Sequence, residues 1–180
     1  KKFEIHCYYN SYFSDQTTKK FRNLVNQWNE IAGWSDERVI NKIKEDSINI
    51  LVDLSGHTSG NRLRVFSKKP APIQVTWLGY PNTTGLTSID YRLSDSIADP
   101  PGVDDKFYTE KLIRMPNGFL CYMPPKNIPE LVSLPFNTNK QITFGCFNNL
   151  AKINVDVLHV WKTILESLPA SRLLLKSPVT

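Results

Sequence analysis

The chain has 180 residues, 41% of them hydrophobic and 22% charged, with a formal net charge of +5. Such a chain makes one soluble globular domain, or one and part of another. No apolar run approaches the roughly 18 residues that span a bilayer, and the basic residues are scattered apart from pairs such as Lys1-Lys2, Lys19-Lys20 and Lys68-Lys69, so neither a membrane helix nor a nucleic-acid reader is expected.

Three cysteines, Cys7, Cys121 and Cys146, occur without a Cys-x-x-Cys spacing. They read as buried free thiols in a reducing compartment, which places the protein in the cytoplasm. The chain opens on strand-like residues and stops after another apolar run, which reads as an internal slice of a larger α/β enzyme.

Strand and helix signals alternate. Residues 3–9 read as a strand. A helix is expected next, capped by Thr17 or Thr18 and stopped by Gly33, with Phe21, Leu24, Val25, Trp28, Ile31 and Ala32 on one face. A second helix starts near Ser35 and packs Val39, Ile40 and Ile43. Residues 48–54 form a nearly continuous apolar run, the pattern of a buried parallel strand. A short helix fits 61–68, and strands fit 73–78, 90–93 and 111–115. Together, 1–115 is expected to make one parallel sheet flanked by helices.

Residues 116–139 carry five prolines and little periodicity, the composition of a linker or crossover. A second unit follows: a strand at 141–147, a helix capped by Asn154 with Val157, Leu158, Trp161, Ile164, Leu165 and Leu168 inward, and a strand at 172–176. Strand, crossover, strand implies parallel pairing. The fold class is therefore α/β, with two doubly wound units, 1–115 and 140–180, joined by 116–139. The second unit is truncated, so its helix face and Leu173-Leu174-Leu175 should lack partners.

Three strand-to-helix loops carry the chemistry-bearing residues. The first, residues 53–62, is rich in Gly, Ser and Thr and holds His57, Thr58 and Arg62. Ligands of open parallel sheets bind just beyond the carboxyl ends of strands, and Arg62 could meet an anion there. The same residues also fit a plain tight turn with His57 merely exposed. The second, around Leu78-Gly79-Tyr80-Pro81 and Thr84-Gly85, again follows a strand, and a proline-bounded turn beside a buried Trp77 fits it equally. The third, Asn148-Asn149-Leu150-Ala151-Lys152-Ile153, leads into a helix whose free N–H groups and partial positive charge suit a phosphate. Lys152 adds a full charge there, and Asn149 could bond a base or a phosphate; a solvated lysine beside an N-cap is the alternative. His6 and His159 read as structural. No His, Cys and carboxylate cluster has metal spacing, and no Asp-x-Asp, nucleophile-elbow or phosphate-binding glycine motif occurs.

Taken together, Ile50-Leu51-Val52-Asp53-Leu54-Ser55-Gly56-His57-Thr58, the string Pro70-Ala71-Pro72-Ile73-Gln74-Val75-Thr76-Trp77-Leu78-Gly79-Tyr80-Pro81, and Phe147-Asn148-Asn149-Leu150-Ala151-Lys152-Ile153 make the chain resemble the catalytic region of glycosyltransferase family 41. That family comprises the protein O-linked N-acetylglucosamine transferases and their SPINDLY-like relatives. The resemblance implies a GT-B arrangement of two Rossmann-like lobes and inverting transfer of N-acetylglucosamine from a UDP-sugar to Ser or Thr of an acceptor protein. It implies no metal and no cofactor.

By position, Lys152 matches the lysine at the UDP diphosphate, and Asn149 stands where animal members have Gln. Leu78 and Gly79 match residues lining the sugar pocket. His57, Thr58 and Arg62 fall in the loop facing sugar and acceptor, where animal members have Tyr at the His57 position. The short 116–139 segment is similar to bacterial or SPINDLY-like members. The family's upstream Gly-Asn-His-Pro loop, its downstream His-Thr-Thr segment and its tetratricopeptide repeats have no counterpart in these residues, and the repeats are expected upstream. The slice alone is expected to be inactive. A GDP-fucose donor and a non-catalytic interaction module are the competing expectations.

Overall fold

Every strand pair among the described residues is parallel. The computed structural model describes residues 2–125 and 127–177. It divides into two compact units, Lys1–Tyr122 and Met123–Thr180. That boundary falls inside the proline-rich segment expected to link two domains.

The first unit opens with β1 (His6–Tyr9), α1 (Gln16–Leu24) and β2 (Gln27–Glu30). β1 and β2 pair from His6↔Gln27 to Tyr9↔Glu30. The long helix expected up to Gly33 is thus corrected: it ends at Leu24, and Trp28 lies in a strand. Helical spacing of the apolar residues was genuine, but β1 needs a ladder partner, and a right-handed strand–helix–strand crossover supplies it. Trp28 then packs against Tyr9, ring centroids 5.0 Å apart, and Ile31 enters the core at 2% exposure. The cap is also earlier than expected. Asp15 accepts from the Thr18 N–H at 2.7 Å while the Thr18 hydroxyl accepts from the Asp15 N–H at 3.3 Å, a reciprocal cap.

α2 (Asp36–Glu45) starts at the expected Ser35 cap. Asp36 and Glu37 occupy its first turn and Lys42 and Lys44 its last, each sign at the favourable end of the helix dipole. Its Val39 and Ile43 are buried. Then come β3 (Ile50–Asp53), α3 (Leu63–Ser67), β4 (Ile73–Thr76), β5 (Tyr91–Ser94) and β6 (Lys111–Arg114), which pair in the order β3-β4-β5-β6. The single sheet expected for 1–115 is therefore two hydrogen-bonded pieces, because β1 and β3 do not pair.

The core lies against these strands: Ile31, Val39, Ile43, Leu51, Val65 and Phe66 pack with Ala71 and Ile89. Gln74 is wholly buried, and its amide donates to the Phe66 and Ser88 carbonyls at 2.8 Å each. The buried-thiol reading is corrected as well: Cys121 is exposed, and Cys7 and Cys146 are half-buried.

The second unit holds α4 (Pro135–Asn139), β7 (Thr143–Cys146), α5 (Val155–Ser167) and β8 (Arg172–Leu175). β7 and β8 pair in parallel, and Asn154 caps α5 by accepting from the Val157 N–H at 2.9 Å. None of its described residues is fully buried. Val157, Trp161 and Leu165 are half-buried at a spacing of one helical turn, whereas Leu158, Leu174 and Leu175 stay 50%, 52% and 44% exposed. Two strands, the long helix α5 and the single-turn α4 bury too little apolar surface to offset chain entropy. Residues 1–122 alone are expected to unfold cooperatively in urea, and 123–180 alone to show no cooperative transition by circular dichroism. A sharp transition in the second fragment would contradict this account.

Candidate functional site

The carboxyl ends of β3 and β4 sit side by side, in register at Asp53↔Thr76. Asp53 is 3% exposed. Its carboxylate accepts from the Ser55 N–H at 3.1 Å, the Gly56 N–H at 2.9 Å and the Thr76 hydroxyl at 2.8 Å. These bonds offset the cost of burying the charge and bend the chain sharply out of β3. The turn they form projects His57 and Thr58 outward; both are exposed.

The loop leaving β4 is held against that turn. Leu78 adopts φ +71°, and the Gly79 N–H donates to the Trp77 carbonyl at 2.9 Å. This is a strained three-residue turn, of a kind that persists only where the surroundings enforce it. A Cβ on Gly79 would lie far inside van der Waals contact with the Leu54 carbonyl, and one on Gly56 would strike Tyr80. Both positions thus require glycine. The His57 and Tyr80 rings meet edge to face at 5.2 Å.

Two buried charged residues brace this loop from behind. Arg92, 2% exposed, donates to the Tyr80 carbonyl at 2.9 Å and the Asn82 carbonyl at 3.0 Å. Glu110, 4% exposed, accepts from the Thr83 hydroxyl at 2.7 Å, the Thr84 N–H at 2.8 Å and the Thr84 hydroxyl. Burial pushes the Glu110 carboxyl up, but the Thr84 and Thr83 hydrogen bonds outweigh it and hold it below its ordinary value. Trp77 Nε1 anchors the loop's start by donating to the Phe119 carbonyl at 2.8 Å.

Among the residues expected at the site, His57, Thr58, Leu78 and Gly79 therefore gather at one end of the β3–β4 pair. Arg62 has a different placement from the anion-facing one expected. Its guanidinium ion-pairs with Asp36 at 2.8 Å, and it also donates to Asn10 Oδ1 at 2.8 Å and to the Trp34 and Ile31 carbonyls. An arginine spent on four partners ties the loop down. It is a clamp behind the site.

In the second unit Asn149 and Lys152 bracket a single 3-10 turn, Leu150–Lys152. Asn149 Oδ1 accepts from the Ala151 N–H at 3.0 Å, so its oxygen caps the turn. Lys152 is exposed and lies two residues before the Asn154 cap of α5.

The sequence model of glycosyl transferase family 41 matches residues 1–132. The chain belongs to this family. It is 47% identical over 167 residues to a tomato (Solanum lycopersicum) protein named probable UDP-N-acetylglucosamine–peptide N-acetylglucosaminyltransferase SPINDLY, covering 91% of this chain and 18% of that protein. The Arabidopsis thaliana protein of the same name is 44% identical over 179 residues, covering 97% of this chain and 20% of its own. A solved structure of a mutant O-GlcNAc transferase from Thermobaculum terrenum superposes with a TM-score of 0.86 at 40% identity, covering 97% of this chain and 32% of that one. The α/β class with parallel sheets is thus that of a family 41 transferase. The chain spans about a fifth of the length of these plant relatives.

Sequence reasoning missed Asp53, Arg92 and Glu110 as positioning residues. Their signal was a charged side chain within or beside an otherwise apolar strand, which demands buried partners. Gly79→Ala is expected to destabilise the protein by about 1–3 kcal/mol through backbone overlap, read by urea unfolding, with a shift in Trp77 fluorescence. For Glu110 the folded carboxyl titrates below the unfolded value of about 4.3. Its stabilisation is therefore full above that value and is lost as pH falls through the lower, folded one. Acid titration should show a loosening of residues 79–85 that Glu110→Gln abolishes; an unchanged titration in that variant would refute the assignment.

Proposed function

We propose that this chain carries part of the site of an inverting glycosyltransferase that moves N-acetylglucosamine from UDP-N-acetylglucosamine to Ser or Thr of a protein. The observation that carries the reading is the pair of interlocked loops after β3 and β4, in a chain whose relatives bear that activity in their names. Backbone held rigidly at the carboxyl ends of parallel strands is where such folds bind ligands, and rigid placement of reacting groups is itself a large part of catalysis.

In this reading Leu78 and Gly79 line the sugar, and His57 and Thr58 face sugar and acceptor, with Arg62 holding their loop from behind. The acceptor hydroxyl oxygen attacks the anomeric carbon, the bond from that carbon to the diphosphate oxygen breaks, and UDP departs. The hydroxyl proton goes to a base that these residues do not assign. Lys152 and the adjacent start of α5 offset the charge growing on the diphosphate, and the Asn149 amide donates to the nucleotide. Charge on the leaving group is thus met by the protein with no metal or cofactor. The protein works in the cytoplasm. No helix among the described residues is long and apolar enough to cross a membrane.

In the complete protein, Lys152→Ala is expected to lower turnover about 10²-fold or more while the circular dichroism spectrum stays unchanged. Transfer of labelled sugar to acceptor protein, measured with UDP-N-acetylglucosamine and GDP-fucose in parallel, tests the donor. Transfer from GDP-fucose alone would replace the sugar in this reading, and no transfer from either would favour an interaction module. Wild-type turnover in Lys152→Ala would overturn the role of the lysine.

A further inference from the structure

Arg92 is a buried cation without an ionic partner. It is 2% exposed, yet no carboxylate of the described residues forms an ion pair with it. Its Nη1 donates to two neutral groups, the Tyr80 and Asn82 carbonyls, and its buried Nε has no partner. A charge taken out of water is costly unless something of opposite sign meets it. The group that meets this one is an aromatic face. The Arg92 guanidinium carbon lies 5.6 Å from the centroid of the Tyr108 ring, within reach of a cation–π contact, which strengthens where water is excluded.

Tyr108 is held in turn from its far end. Its hydroxyl donates to Asp99 Oδ1 at 2.5 Å, and the other Asp99 oxygen accepts from the Ser94 hydroxyl. Asp99 is 6% exposed. Burial and this carboxylate push the Tyr108 hydroxyl up to about 12, so near neutral pH it remains a donor. A phenol that donates to a carboxylate is polarised, and its ring face attracts a cation more strongly. Asp99 is fixed from β6, because Arg114 Nε donates to its backbone carbonyl at 2.7 Å and the Arg114 guanidinium pairs with Asp105 at 2.8 Å. The next residues along lie against the same loop. The Thr109 N–H donates to the Thr83 hydroxyl at 3.3 Å, and Glu110 holds Thr83 and Thr84.

We propose that Tyr108 and Asp99 are positioning residues for the transfer site: together they supply the counter-charge that keeps Arg92 seated beneath the loop leaving β4. Both act through Arg92. The inference rests on the reading of Leu78 and Gly79 as the lining of the sugar. One guanidinium gathers the Tyr80 and Asn82 carbonyls, so a guanidinium that turns toward water releases both at once. Leu78, at φ +71°, keeps its strained backbone only while its surroundings enforce it. Release of the loop therefore moves Gly79 off the Leu54 carbonyl against which it is packed. A small misplacement of this kind lowers the rate of a reaction more than the affinity for its substrate.

A double-mutant cycle in the complete protein tests the link, read by amide hydrogen exchange at 79–84 and by turnover with UDP-N-acetylglucosamine. Tyr108→Leu removes the ring; it should speed exchange at 79–84 about tenfold and lower kcat about tenfold, the size of one desolvated cation–π contact, with KM for the donor within about twofold of wild type. Tyr108→Phe keeps the ring and loses the bond to Asp99. It should fall between wild type and Tyr108→Leu, and it decides the matter if the leucine variant does not fold. In an Arg92→Met background neither change should speed exchange at 79–84 any further. Exchange in α2 should stay at the wild-type rate throughout, which separates local release from general loosening. Unchanged exchange at 79–84 in the Tyr108 variants would overturn the proposal. So would an equal acceleration on top of Arg92→Met, or faster exchange with an unaltered kcat. The exchange measurements need no sugar transfer, so their failure is distinct from failure of the proposed reaction.

Discussion

The first unit depends on one buried carboxylate. Asp53 receives two backbone N–H groups of its own turn and the hydroxyl of Thr76 on the neighbouring strand. A charge at 3% exposure is costly unless every lone pair is met. Here the partners come from both strands, so the ionised group fixes the angle at which the chain leaves β3 and also fastens that exit to β4. The place of His57, the approach of Tyr80 and the contact of Gly79 with the Leu54 carbonyl all follow from that geometry.

The same principle repeats one strand further out. Arg92 rises from β5 to hold the Tyr80 and Asn82 carbonyls, and Glu110, just before β6, collects Thr83 and Thr84. Arg92 in β5 and Glu110 just before β6 thus each contribute a buried charge that braces the loop leaving β4. A loop on a sheet ordinarily sits at the low end of local stability. This one is fixed along most of its length, including a Leu78 backbone in a strained conformation. Rigid support of this kind lets a binding surface be made of backbone and small side chains, since the groups need no reorganisation when a ligand arrives.

The two units differ in how they are stabilised. The first has a contiguous core built from helices and strands on β3 and its neighbours. The second has a strand pair, the long helix α5 and the short α4, none of its described residues fully buried. Lys152 and Asn149 belong to the second. The geometry around them is local: the two capping bonds, by Asn149 and Asn154, lie within residues 149–157.

Most elements were legible in the sequence because local rules decide them. The Ser35 and Asn154 caps, the apolar run of β3 and the strand into Trp77 follow from hydrogen-bonding side chains and side-chain period. The candidate loops were legible too, as small residues following strands. What only the tertiary structure decided is which partners each group meets. The 21–32 stretch has helical spacing, yet Trp28 joins a strand because β1 needs a parallel neighbour. Arg62 carries a charge that suits an anion, yet Asp36, Asn10 and two carbonyls, none of them adjacent in the chain, claim it. The physical reason is the same in both cases. Propensity and pattern are local, whereas ladder pairing and buried-charge satisfaction depend on residues dozens of positions away.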